Sequence, residues 1–258
     1  RLSVSVKKAG VLKKGNGNVV HFAQEKVVKW YSEILKGGKD SKKVCAFKFS
    51  GSDEREYTLK TFDTAEAAER SGYIITHRYK CGQCSSLRDL AMYIAKPNLT
   101  TPVRKCVQKL NLVSMKSCLM KQVGFSEYCA EAWAYNGANT KSYCKKRCMK
   151  DYGAGSAVEG AINVLAGNYT KYGEGNTYTD KKGKVQLRPC IACDEYRSGP
   201  GFKYQAARTR RDSGLISRIQ RKESQQYHLN HFGYFKAFRK RGEKVLKKLG
   251  DTEFKKAE

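Results

Sequence analysis

The sequence predicts an α+β fold: a small mixed sheet with helices, followed by a disulfide-stapled bundle of short helices. Three observations carry this expectation. Between residues 22 and 76, amphipathic and β-prone segments alternate in the order α-β-β-α-β. From Cys81 to Cys148 the pattern changes to short helical runs, each with its own capping residue. All ten cysteines fall between Cys45 and Cys193, in an even number and several at short spacings, as in a chain stapled in an oxidising compartment.

Residues 22–36 read as a helix because Val27, Val28, Tyr31, Ile34 and Leu35 recur at helical spacing, with Lys26, Lys29 and Glu33 opposite. Gly37-Gly38 ends it. Cys45, Phe47 and Phe49 alternate on one face of a strand, Tyr57 to Phe62 forms a second, and Gly51-Ser52-Asp53 is the turn between them. Asp63 is the expected N-cap of an Ala-rich helix, with Glu66 at the capping-box position and Gly72 as the stop. Tyr73 to Thr76 resumes as a strand. Ser85 or Ser86 then precedes a helix over Leu87–Ala95, Thr101-Pro102 starts another, and Ser114 and Ser126 open two more. Residues 153–188 are Gly-rich and read as a long loop or lid with one short helix at Ala157–Ala166. The segment from Lys236 to Lys256 reads as an exposed helix or frayed tail.

The organisation expected is a basic N-terminal segment over 1–44, a disulfide-stapled domain over 45–220 and a basic helical segment over 221–258. With 40% apolar residues the chain can bury a core, and no run is long enough for a membrane helix. The formal net charge of +27 is spread along the whole chain and implies work beside something anionic. Cysteine usage, the absence of an apolar leader and sequons at Asn98 and Asn168 suggest a secreted, glycosylated, mature product.

Cys81-x2-Cys84 and Cys190-x2-Cys193 have the spacing of zinc-ligand pairs, but they are far apart and six other cysteines compete. The expectation is therefore five disulfides among Cys45, Cys81, Cys84, Cys106, Cys118, Cys129, Cys144, Cys148, Cys190 and Cys193, with connectivity open and no metal assigned. Cys144 and Cys148 share one helical face and suit staples to neighbouring segments. His77 ends a strand beside this layer and is the candidate general base. His228 and His231 stand three apart, weighed as a metal half-site against a solvated pair. Asp194 and Glu195 follow Cys193 and complete the candidate catalytic set. Arg104, Asn136, Arg208, Arg210 and Arg211 are candidate substrate-binding groups, since guanidinium offers planar bidentate donors to carboxylate, phosphate or sulfate.

Thr76-His77-x3-Cys81-Gly82-x-Cys84-Ser85, Leu87-x-Asp89-Leu90-Ala91-x-Tyr93, Leu99-Thr100-x-Pro102-Val103-Arg104-x-Cys106 and Trp133-x-Tyr135-Asn136 form a motif set. Cys193-Asp194-Glu195-x2-Ser198-Gly199-Pro200-x-Phe202-Lys203 and Arg208-Thr209-Arg210-Arg211-x-Ser213-Gly214 extend it. Over residues 57–220 this set resembles a group of uncharacterised cysteine-rich secreted proteins of algae and other marine eukaryotes. The resemblance implies secretion and a single domain, and carries no reaction with it.

Two function classes stay open. In the first, His77, Asp89, Arg104, Asn136, Asp194, Glu195 and Arg208–Arg211 converge on a pocket for a small anionic or aromatic substrate. No P-loop, Rossmann fingerprint, zincin motif or nucleophile elbow is present. The enzyme expected is thus cofactor-independent: an oxygenase, luciferase-type included, or a hydrolase or lyase using His77 as base. In the second, a rigid basic protein binds extracellular polyanions such as sulfated polysaccharide or mucus. The motif-dense middle places the enzyme first. Nucleic acid is not the expected partner, because no RNA-binding signature accompanies the sixteen tyrosines. A third reading, an intracellular zinc-stabilised ribonucleoprotein component, requires mostly free thiols.

Overall fold

The structure, a computed structural model, describes residues 13–14, 20–21, 24–50, 56–151, 177–215, 227–229 and 231. A strand pair, β1 (Lys13–Lys14) and β2 (Val20–His21), precedes α1 (Gln24–Leu35) and the single-turn α2 (Lys39–Lys42). The sheet follows: β3 (Val44–Phe49), β4 (Tyr57–Phe62), α3 (Ala65–Arg70) and β5 (Ile74–Arg78), in the order β4-β3-β5 and antiparallel at both seams. Both faces of central β3 are covered. Phe47 joins the main core, while Val44 and Ala46 pack with Phe62 and Ala68 on the other side. Thr64, one residue after the expected Asp63, caps α3 by accepting from Ala67 N at 3.2 Å.

The helical layer comprises α4 (Leu87–Ala95), α5 (Thr100–Val107), α6 (Leu112–Gln122) and α7 (Glu127–Asp151). Ser86 caps α4, as expected. At α6 the cap is Asn111, with Ser114 as its capping-box partner three residues on. The helix that opens after Ser126 is long, 25 residues. It runs through Gly137 because α5 lies so close that a Cβ there would stand 2.2 Å from Val107 Cγ1. Leu90, Tyr93, Leu119, Phe125, Ala130 and Phe202 meet in the main core, and burying each large apolar side chain contributes about 1.5–3 kcal/mol.

A hairpin of β6 (Thr177–Thr179) and β7 (Val185–Leu187) leads to α8 (Pro189–Arg197), α9 (Gly199–Ala206) and a 3-10 turn, Arg211–Ser213. This hairpin occupies the end of the stretch expected as loop. Asp180 organises its turn by accepting from Lys182 N and Lys184 N, both at 2.9 Å. The 51–53 turn, the 157–166 helix, Asn168 and the 236–256 helix lie outside the described residues.

All ten cysteines are paired: Cys45–Cys81, Cys84–Cys129, Cys106–Cys118, Cys144–Cys193 and Cys148–Cys190. Each C-x2-C pair is therefore split between two bridges. Cys144 and Cys148 both reach α8, whose cysteines stand three apart, so two bridges clamp two antiparallel helices. Five disulfides fit a protein that matures in an oxidising compartment. Among the described residues no helix is long and apolar enough to cross a membrane, and no group of three or more His, Cys, Asp or Glu is placed to hold a metal.

Candidate functional site

The sheet and the end of α9 meet at Arg208. A register shift between β3 and β5 places Cys45 opposite His77 and Ala46 opposite Ile75, leaving Thr76 as an extra residue. This bulge breaks the alternation of the strand, so Thr76 and His77 are both fully buried. From the other side, the 82–84 loop pairs with the end of α9: Gln83 N donates to Gln205 O and Cys84 N to Ala206 O, both at 3.0 Å. Only glycine fits at 82, since a Cβ would stand 2.6 Å from the Gln205 carbonyl oxygen. Ala207, at φ 62°, then turns the chain inward and delivers Arg208.

The Arg208 guanidinium is completely enclosed. Nε donates to Cys84 O at 2.9 Å, and Nη1 donates to Thr76 O at 3.0 Å and Ser213 Oγ at 2.9 Å. Nη2 donates to Thr76 Oγ1 at 2.5 Å and to Ser85 O at 3.2 Å. One side chain thereby ties β5, the Cys84 loop and the 3-10 turn. Tyr93 extends the network, donating to Arg208 O and accepting from Trp133 Nε1 at 3.1 Å.

His77 lies in the same interior. Its Nδ1 is 2.7 Å from the Arg78 carbonyl and its Nε2 2.7 Å from Ser85 Oγ. A carbonyl only accepts, so Nδ1 carries the proton and Ser85 donates to Nε2. Gly82 N in turn donates to Ser85 Oγ at 2.7 Å. Burial, with Arg208 nearby, holds the His77 pKa well below the usual histidine value and keeps the ring neutral. His231 is likewise buried, with Nε2 2.6 Å from Ser213 O, and burial lowers its pKa to about 4. His228 is exposed, so the two C-terminal histidines do not share a site.

Asp194 belongs to a second cluster. It lies on α8, before the start of α9, whereas Arg208 lies beyond its end, about 12 Å of helix away. Thr140 and Asn136 of α7 hydrogen-bond its carboxylate, and Thr140 also reaches Ser198. The residue is half-buried but its carboxyl is desolvated, which raises its pKa to about 6. Glu195 points elsewhere, to Lys203 at 3.4 Å. Arg210 caps α4, donating to the carbonyls of Tyr93 and Lys96, and Arg211 pairs with Asp212 at 3.2 Å. Arg104 is half-exposed on α5. Asp89 is fully buried and joins α4 to α7 by accepting from Ser126 N and Oγ at 2.7 Å. The structure thus brings His77 and Arg208 together, and separately Asp194 and Asn136, and leaves Glu195, Arg104, Arg210 and Arg211 at other places.

One cluster of exposed cations lies on the second half of α7. Lys145, Lys146, Arg147 and Lys150 are exposed, and no acidic residue falls between Lys141 and Lys150. Cys144 and Cys148 form the seam to α8, so these cations occupy the faces turned away from it. At the end of the helix Asp151 is buried and holds the equally buried Arg188, with Asp151 Oδ1 3.0 Å from Nη2. Sequence reasoning missed Ser85, Ser213 and the Asp151–Arg188 pair. The Gly82-x2-Ser85 spacing was legible, but nothing local marks Asp151 and Arg188 as partners.

Residues 113–229 match the model of a family of unknown function (DUF8771). No curated protein and no solved structure matches the chain. The matched stretch begins within α6 and takes in the cation-bearing α7, both bridges to α8, the Asp194 cluster and Arg208, so the chain is similar to that family through the helical layer and not through the sheet.

Proposed function

We propose that this is a secreted, disulfide-stapled basic protein that binds an extracellular polyanion, such as sulfated polysaccharide, through the second half of α7. The observation that carries this reading is the exposed set Lys145, Lys146, Arg147 and Lys150 on a helix clamped by two bridges. Like charges three and four apart on a helix are unfavourable by roughly a few tenths of a kcal/mol per pair. Lys146 and Arg147 stand four and three residues before Lys150 on one face, and with the nearest acid in sequence turned inward to Arg188 they present positive charge to a partner.

The enzymatic reading takes second place. His77 and Arg208 lie together but are enclosed, with the donors and acceptors of both groups directed at backbone and hydroxyl groups. A substrate would have to open the contact between the sheet and α9 to reach them.

Retention on a heparin-like resin tests the proposal. Wild-type protein should elute at higher salt than a control of equal net charge, with a steep salt dependence. Replacing Lys145, Lys146, Arg147 and Lys150 by Gln should reduce that dependence by about one unit of log–log slope for each phosphate- or sulfate-bound cation removed. Elution with the control, or unchanged elution of the variant, rejects the α7 face as the binding site.

A further inference from the structure

The turn between α5 and α6 carries two aliphatic side chains into solvent. Leu110 is 96% exposed and Val113 74% exposed, although Val103, Met115 and Leu119 of the same two helices are buried in the core. Exposed aliphatic side chains this near in sequence give the turn an apolar surface that a partner could cover. The turn is held in place. Cys106–Cys118 joins α5 to α6 beneath it, and Asn111 caps α6 by accepting from Ser114 N at 2.9 Å. Met120, seven residues beyond Val113 and so on the same face of α6, is 37% exposed.

Cations frame this tip. Lys105 and Lys109 are exposed on and just after α5, and Lys141 of α7 donates its Nζ to the Lys109 carbonyl at 3.1 Å. Glu127, at the start of α7, is paired with Lys116 at 2.8 Å. An aliphatic tip with a cationic collar suits an interface whose interior is apolar and whose surface is negative.

The geometry points to an anionic lipid bilayer as the partner of this tip, with Leu110 and Val113 entering the acyl boundary and Lys105, Lys109 and Lys141 at headgroup level. A twofold contact between two copies through the tip would set the same lysines against each other, which disfavours self-association there. The inference uses a surface other than the Lys145–Lys150 row and stands apart from the polyanion reading.

Co-sedimentation with vesicles tests it. The protein should pellet with vesicles of phosphatidylcholine mixed with phosphatidylserine and not with phosphatidylcholine alone. Leu110→Ser with Val113→Ser should weaken this binding by about tenfold or more, with heparin-resin elution unchanged. The Gln variant of the α7 row should still require the tip to bind vesicles, so failure of the polyanion reading is seen separately on the resin. Equal vesicle binding by the tip variant and wild type would mean adsorption by charge alone and would overturn the proposal. So would no binding by wild type, or a wild-type dimer in sedimentation that the tip variant dissolves.

Discussion

The two halves of α7 are held by different means. The first half contributes Cys129, Ala130, Ala132 and Ala134 to the main core, and Trp133 packs between Phe125 and Phe202. Among the described residues, the second half contributes none to that core. It is fixed instead by Cys144–Cys193, Cys148–Cys190 and the buried Asp151–Arg188 pair. The difference shows what the staples are for. Apolar burial needs neighbours on all sides, whereas a cross-link needs one, so covalent anchoring leaves the other faces of a helix free to carry charge.

The largest effect that tests this contrast is removal of both bridges. Replacing Cys144, Cys148, Cys190 and Cys193 by Ser should destabilise the second half of α7 and α8, with a chain-entropy loss of about 4 kcal/mol for the first bridge removed. Hydrogen exchange should show protection lost over residues 141–151 and 189–197 and retained over 127–138. Uniform loss along α7 would show that the halves unfold as one unit and the contrast is not energetic.

Arg208→Met comes next. It leaves the carbonyls of Thr76, Cys84 and Ser85 without this donor inside a closed interior, at a cost of about 4 kcal/mol. Arg210→Met, at a half-buried helix cap, should cost about 1 kcal/mol. Urea melts that rank the two variants equally would remove Arg208 from its place as the tie between sheet and helices.

The two clusters should also be separable by pH. His231 has a folded pKa of about 4, below its unfolded value, so its contribution is complete above about pH 6.5 and is lost as pH falls towards 4. His77, also depressed, acts in the same direction. Asp194 is raised to about 6, so its ionisation destabilises the folded state as pH rises from about 4 to 6. These effects oppose one another in one window. Asp194→Asn should therefore raise stability at pH 7 by about 1–3 kcal/mol and steepen the loss on acidification from pH 6.5 to 4. A variant whose stability–pH curve runs parallel to that of wild type would show that the Asp194 carboxyl does not titrate in this range.

The smallest effect is expected at the cationic row. Gln at 145, 146, 147 and 150 should change stability by under about 1 kcal/mol, because relief of like-charge repulsion offsets the weaker attraction to the helix C-terminus. A larger loss would assign those residues to structure and weaken the binding proposal.

Much of the fold was legible locally. The α4 boundaries follow from Ser86 and Pro97, the β3–β4 pair from alternation, and the oxidation of all ten cysteines, though not their connectivity, from their number and placement. The length of α7 was not: short helices were expected up to Cys148, whereas the helix continues through Gly137, with Val107 of α5 occupying the space beside it. The candidate site divided in the same way. Residues near in sequence, such as Asp194 and Glu195, parted because successive helical positions point to different neighbours, Thr140 for one and Lys203 for the other. His77 and Arg208, far apart in sequence, came together.

By itself the sequence determined an α+β chain with a strong positive charge and cysteines enough to tie its layers, because composition, periodicity and caps act over a few residues. Which cysteine meets which, which arginine goes inside and which cations stay outside were decided by the tertiary structure. A one-residue bulge at Thr76 and the close approach of Gly82 to α9 create a set of inward oxygens that the planar Arg208 guanidinium satisfies, and neither feature exists until the sheet and helices have met.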